Sequence, residues 1–167
     1  MNQKIFCLVI FVFAVVALSC GEKKDQRIYY VNDQAYLLTE EQVSILTDQI
    51  RELEETIGSQ IVILIIQSLN GEKIEDYSLR TAHDWGIGRK DYDDGVLITV
   101  SLDDRQARIE VGYGLEKIIR DEVAARILRE DMAPKFRSKN YYEGLQLTVG
   151  KIITLIKENK ELVGQRI

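Results

Sequence analysis

Residues 60–67 read "QIVILIIQ", six apolar and mostly β-branched side chains between two glutamines. The run is of strand length, and no polar residue alternates with the apolar ones, so it reads as a strand covered on both faces. A strand without a solvent face needs a layer above it and a layer below. Upstream, "LLTEEQVSILTDQIRELEETIG" (37–58) supplies a helix. Thr39 with Gln42 forms a capping-box pattern, Val43, Leu46, Ile50, Leu53 and Ile57 recur at helical spacing, and Gly58 suits the C-cap. Downstream, "SLNGEK" turns the chain and "IEDYSLRTAHDW" (74–85) can form a second helix.

Two further strands follow, Val96–Leu102 and Ala107–Val111, with "DDRQ" between them. So short a break permits only a hairpin, so this pair is antiparallel. "RDEVAARILREDM" then reads as a helix with Asp121 as its N-cap and Pro134 interrupting it. A last helix, Tyr142–Lys157, sets Leu145, Val149, Ile152 and Ile156 on one face. There is no internal repeat. Helices before, between and after the strands predict an α/β fold, a three-layer α/β/α sandwich around a small mixed sheet.

The first residues belong to a different problem. Lys4 precedes an unbroken apolar run of 14 residues, Ile5–Leu18, which is signal-peptide length and short for a bilayer span. The run ends in "ALSC", which resembles the lipobox of bacterial lipoproteins. Residues 1–19 are thus expected to be a signal peptide. Cys20 would be the lipidated, palmitate-bearing mature N-terminus, and residues 20–30 a polar tether; ordinary secretion with a free Cys20 is the alternative. The folded domain is expected over 31–158 and a polar C-terminal tail over 159–167. Lys4 is the one charged residue before Cys20, so 22 basic side chains become 21 against 27 acidic, a balance of −6. That balance, with no basic stripe, argues against nucleic acid. Cys20 would be the only mature cysteine, which removes disulfide frameworks, Cys₄ zinc and cysteine nucleophiles.

Ahead of the hairpin lies "DWGIGRKDYDDG" (84–95). Its glycines suggest a phosphate cradle and its aspartates a cation site. A dinucleotide fingerprint follows a strand and opens a helix, whereas "GIG" follows a helix and leads into a strand. "VGYGLEK" (111–117) has the right context but lacks a third glycine and places Glu116 where a pyrophosphate would lie. With no GxxxxGK[ST] motif either, nucleotides are not expected as ligands. "DYDDG" also fails as an EF-hand, because a loop starting at Asp91 puts Gly95 at position 5 and Leu102 at position 12.

Hairpin geometry brings the start of its first strand beside the end of its second. The loop with Asp91, Asp93 and Asp94 should therefore lie against the loop with Gly112, Gly114 and Glu116, with Asp121 close behind. Clustered carboxylates repel unless a positive group joins them, and Ca²⁺ or Mg²⁺ suits an all-oxygen set. The competing reading makes these acids turn formers and helix caps, each solvated alone. Asp103 and Asp104, at the other end of the hairpin, read as turn residues. His83, the only histidine, has no partner for a metal and reads as a surface residue. Trp85 reads as packing at the site's edge.

The succession "VNDQAYLLT", "DWGIGRKDYDDGVLITV", "RIEVGYGLEKIIRDEVA" and "FRSKNYYEGL" resembles the TPM-domain family over about Val31 to Ile156. The resemblance implies a single α/β/α sandwich, usually outside the cytoplasm and held at a membrane. It also implies a role among accessory proteins of membrane complexes, calcium-binding members and a thylakoid acid phosphatase. The family positions carried over are Asp33, Asp93, Glu116 and Asp121, with Asp94 where asparagine is frequent. Trp85, Gly86, Gly88, Gly95, Gly112 and Gly114 would shape the site. Many relatives carry a C-terminal membrane helix, whereas this sequence ends in "KENKELVGQRI", so Cys20 is the expected anchor. Two functions follow: a tethered, cation-binding module on the periplasmic side that assists an envelope complex, or a metal-assisted phosphomonoester hydrolase. In the second, Asp93, Asp94 and Glu116 would hold the ion and Arg89 or Arg108 would steady the phosphate.

Overall fold

A computed structural model describes residues 29–165; the expected signal segment, Cys20 and most of the expected tether lie outside the described residues. In chain order the elements are β1 (Val31–Asp33), α1 (Glu40–Ile57), β2 (Gln60–Ile66), α2 (Ile74–Trp85), β3 (Gly95–Ser101) and β4 (Gln106–Val111). A 3₁₀ turn (Tyr113–Leu115), α3 (Asp121–Ile127), one π-helical turn (Leu128–Met132), α4 (Ala133–Arg137), α5 (Tyr141–Glu158) and a 3₁₀ turn (Lys160–Leu162) follow. The sheet order is β1-β2-β3-β4, parallel across the first three strands and antiparallel between β3 and β4. This is the α/β/α sandwich with a small mixed sheet that the sequence predicts.

Strand periodicity divides the core in two. Ile61, Ile63 and Ile65 of β2, Val96, Ile98 and Val100 of β3 and Ile109 of β4 share one cluster with Leu46, Ile50 and Leu53 of α1 and Leu145, Val149, Ile152 and Ile156 of α5. The intervening residues Val62, Leu64, Ile66 and Leu97 form the second cluster, against which Tyr77, Ala82 and Trp85 of α2 pack. Each such fully buried side chain contributes on the order of 1.5–3 kcal/mol. A polar group at Ile63 or Leu64 would therefore break a layer contact.

Local chemistry sets the boundaries. Thr39 accepts from the Gln42 N–H while the Gln42 side chain accepts from the Thr39 N–H, and Gly58 ends α1 at φ 93°. Asp121 is the first helical residue of α3 and not its cap; Arg120 holds the cap position with no side-chain hydrogen bond there. The Asp121 carboxylate still favours the positive end of the helix dipole. Pro134 sits in the first turn of α4, where a missing N–H costs little. The interruption begins earlier, in the π turn.

The segment expected to be a polar tail is folded back. Leu162 and Val163 pack on the larger core cluster, and the Gly164 N–H donates to Gly114 O at 2.9 Å. Strand β1 has no counterpart in the periodicity, because three residues carry too little pattern. Among the described residues no helix is long and apolar enough to cross a membrane.

Candidate functional site

The two loops meet as the hairpin requires. The Gly112 N–H donates to Gly95 O at 2.8 Å and the Gly114 N–H to Asp93 O at 3.0 Å. The approach is backbone on backbone: a Cβ on Gly112 would lie 2.2 Å from Asp93 O, and one on Gly114 1.8 Å from Tyr92 O. No side chain fits at either position. Gly86 closes α2, the Gly88 N–H donates to Gln60 Oε1 at 2.7 Å, and Gly95 lies under the Ile87 carbonyl. Trp85 packs with Ile87 on the smaller core cluster.

At the centre is Asp94, which has no solvent exposure. Its Oδ1 accepts from the Arg89 backbone N–H at 2.8 Å. Its Oδ2 accepts from Arg89 Nε at 2.9 Å, Arg89 Nη2 at 2.5 Å and the Ser59 hydroxyl at 3.3 Å. The guanidinium stands 3.9 Å from the Tyr92 ring centroid and also lies against Gly58, where a Cβ would come within 2.6 Å of Arg89 Cζ. A buried carboxylate requires paired charge and filled lone pairs, and Arg89 with Ser59 supplies both. Sequence reasoning gave Arg89 only to a phosphate. The missed signal is that a strand opening on a buried aspartate needs a cation within reach, and Arg89 lies five residues upstream.

The remaining carboxylates disperse. Asp33 stands at the other end of the sheet. The register pairs it with Ile65, which pairs with Val100, five residues along β3 from Gly95 and so about 16 Å away along the strand. Asp33 also has local work: its Oδ1 accepts from Ala35 N at 3.2 Å and its Oδ2 from Leu38 N at 2.8 Å. It is therefore a turn former after β1 and not part of the corner. Asp121 is exposed at the start of α3. Asp93 and Glu116 stay at the corner, both partly exposed, with Asp93 at φ 50°. Among the described residues no group of three or more His, Cys, Asp or Glu side chains is placed to hold a metal ion. The five predicted ligands as a set do not fit a divalent cation, because Asp94 is spent on Arg89 and Asp33 lies across the sheet.

Two other residues behave as read. His83 is well exposed and lies 3.5 Å from Asp84. Asp104 is a turn residue with a tying role: its Oδ2 accepts from Leu69 N at 2.7 Å and Ser101 Oγ at 2.5 Å, joining the β2–α2 connection to the hairpin. The Ser101 hydroxyl, then the Leu69 amide, hold its pKa below the usual aspartate value. At the opposite end of the sheet, Glu54 accepting from Tyr30 pushes the Tyr30 pKa up to about 12.

The architecture defines a class: a three-layer sandwich whose hairpin corner is welded through glycines and a buried Arg–Asp pair. The chain belongs to the TPM-domain family, whose model matches residues 31–155. It is similar to the N-terminal domain of a Porphyromonas gingivalis protein, known from NMR in solution, with 31% identity and a TM-score of 0.74 over 80% of this chain and 85% of that one. The BA42 protein of the psychrophile Bizionia argentinensis shares 20% identity, with a TM-score of 0.65 over 75% of this chain and 86% of that one. The N-terminal domain of a Corynebacterium glutamicum protein shares 10%, with a TM-score of 0.61 over 80% and 83%. The last two likenesses are of fold alone. No functionally curated protein matches the chain.

Proposed function

We propose that this chain is an accessory module, tethered at a bacterial membrane on its extracytoplasmic side, that assists assembly, repair or regulation of an envelope complex. The observation that carries the choice of module over hydrolase is the sealing of Asp94 by Arg89. Hydrolysis of a phosphomonoester beside carboxylates needs a cation to neutralise them and to activate water. Here the most central carboxylate is already neutralised by the protein's own guanidinium, and that guanidinium is thereby withheld from a substrate. The "ALSC" sequence and the charged stretch after it support attachment through a lipid on Cys20. A single acyl signal binds membranes reversibly, so stable anchoring needs the multiple chains of a lipoprotein terminus.

Fractionation of cells expressing the full-length chain tests the tether: wild type should sediment with membranes and Cys20→Ser should not. Cross-linking in intact membranes should then capture an integral envelope protein with wild type only. The hydrolase reading is tested with an aryl phosphate in Ca²⁺ and in Mg²⁺. Turnover should not exceed that of Asp93→Ala, and melts should coincide with and without each ion. A rise in Tm of several degrees with Ca²⁺, lost in both Asp93→Ala and Glu116→Ala, would restore a cation to the corner and overturn the metal-free reading.

A further inference from the structure

The sheet has a second end. A groove of about 860 Å³ lies between the hairpin turn and the helical segment from α3 to α4, within the roughly 300–1,000 Å³ typical of ligand sites. It opens at the carboxyl ends of the parallel strands, where open α/β sheets usually bind ligands. Its floor is apolar: Leu102, Leu128, Met132 and Phe136 line it. Its charged lining residues are Arg105, Arg129, Arg137 and Lys139, and no Asp or Glu lines it. That is a local excess of four positive charges on a protein of net charge −5. Arg129 pairs with Glu130 in the open at 3.1 Å, a contact of small worth. Arg105, Arg137 and Lys139 make no ion pair among the described residues.

The groove also reaches free backbone. β4 is an edge strand, and the Gly112-to-Gly95 bond fixes the phase of its pairing, so Gln106, Arg108 and Glu110 hydrogen-bond to β3. The N–H and C=O groups of Ala107, Ile109 and Val111 therefore point away from β3, and no backbone hydrogen bond among the described residues takes them up. Ala107 itself lines the groove. The π turn Leu128–Met132, a distortion frequent at functional sites, contributes three lining residues, Leu128, Arg129 and Met132.

We infer that this groove docks an extended acidic peptide segment of a partner protein, adding it beside β4 at Ala107. Three features choose this occupant. The floor has no buried charged side chain to hold a small anion. The cations stand at the rim and in the open, where they meet carboxylates without deep desolvation. A strand offers apolar and acidic side chains on alternate sides together with main-chain hydrogen bonds, as edge addition requires. The inference rests on the accessory-module reading and names the chemistry of the partner that reading leaves open.

The test uses the full-length chain in mild non-ionic detergent with a synthetic eight-residue peptide alternating valine and glutamate, its fluorescence anisotropy read at low and physiological salt. Saturable binding is expected, at least ten-fold weaker for Arg137→Glu/Lys139→Glu and weaker again in salt. Amide exchange at Ala107 and Ile109 should slow when the peptide binds. The exposed charge variants should melt like wild type, which separates lost docking from lost fold. A valine–lysine peptide binding as well, unchanged affinity in the charge variant, or unprotected Ala107 and Ile109 amides would each overturn the inference. So would a short-chain phosphatidic acid that alone binds with the same charge dependence, since that would make the groove a lipid site. Membrane fractionation of Cys20→Ser is independent of all these outcomes, so the tethering reading and the groove fail separately.

Discussion

Arg89→Ala removes two of the four hydrogen bonds to Asp94 and the one cation paired with it among the described residues, leaving the carboxylate with the residue 89 amide and the Ser59 hydroxyl. Removing one partner from a buried pair costs about 3–5 kcal/mol, because the other charge is left under-compensated. The two partners are not equally buried, and this fixes where in the range the cost falls. Asp94 is fully buried whereas the Arg89 side chain is 37% exposed, so deleting it opens a path for water to the carboxylate. That relief pulls the cost to the low end. The lost stacking on Tyr92, worth about 0.5–1 kcal/mol at an open site, pushes it back up. The expected loss is about 3 kcal/mol, or roughly 10 °C in Tm for a domain of this size.

Asp94→Asn makes the complementary cut. It keeps the shape, removes the buried charge, and frees Arg89 to turn to water, so about 1–2 kcal/mol is expected. In the Arg89→Ala background the same change should cost nothing or restore stability, giving a coupling of about 1–3 kcal/mol. Urea unfolding at pH 7, followed by fluorescence of the single tryptophan Trp85, reads both quantities if the slope is unchanged. A loss below about 1 kcal/mol for Arg89→Ala, or strictly additive single changes, would refute the view that this pair seals the corner.

Gly114→Ala, whose Cβ would lie 1.8 Å from the Tyr92 carbonyl, should destabilise by more than about 3 kcal/mol or leave no soluble protein. Gly150→Ala is its counterpart inside α5, with nothing within 4 Å, and should gain about 0.5–1 kcal/mol in the same urea assay. Because the folded-state pKa of Asp104 lies below its ordinary value of 3.8, its ionised form is favoured by folding; the stability it adds is present above pH 3.8 and is lost as pH falls through the lower folded value. Melts of wild type and Asp104→Asn should therefore differ at pH 7 and converge on acidification, and a constant difference would refute this. For Tyr30, raised from 10.0 to about 12, the sign is opposite in pH. Stability should fall between pH 10 and 12 in wild type relative to Tyr30→Phe, which spectrophotometric tyrosine titration with parallel melts would detect.

The elements that strong local signals specify were legible in the sequence. The Thr39–Gln42 box, Gly58, the apolar 60–67 run and the four-residue hairpin break each carry one physical meaning. The cap and helix end appear where they are read, the strand ends one residue earlier, at Ile66, and the break falls one residue earlier, at 102–105, with Gln106 already in β4. Hairpin geometry even placed the two glycine loops together. What it could not supply was the partner of each acid. Asp33 and Asp94 are both aspartates near glycine or turn residues, yet one caps a turn at the far end of the sheet and the other is a buried ion pair. The difference arises from the parallel register of a three-residue strand with no periodicity of its own. The folding back of Leu162, Val163 and Gly164 was equally hidden, since a polar stretch advertises none of the three backbone and apolar contacts that hold it.

That distinction changes which end of the molecule is available. At the acid-rich corner the glycines admit backbone from three segments, and Arg89 neutralises Asp94, the one carboxylate there that is fully buried. At the carboxyl end of the strands the situation is reversed: arginines and a lysine separated by up to 34 positions in sequence gather around an apolar floor that no Asp or Glu lines, and only Arg129 among them has an ion-pair partner among the described residues. Uncompensated charge beside uncovered apolar surface and an open strand edge is what a fold retains when another molecule completes it. Arg137 ends α4 and Lys139 lies two residues beyond it, and the Lys139 backbone has φ 62°, an uncommon conformation for a non-glycine residue. Replacing Lys139 with Gly should relax that backbone and keep the fold while removing one rim charge. Docking of the acidic peptide should weaken as stability holds or rises, and a parallel loss of both would show the rim to be structural.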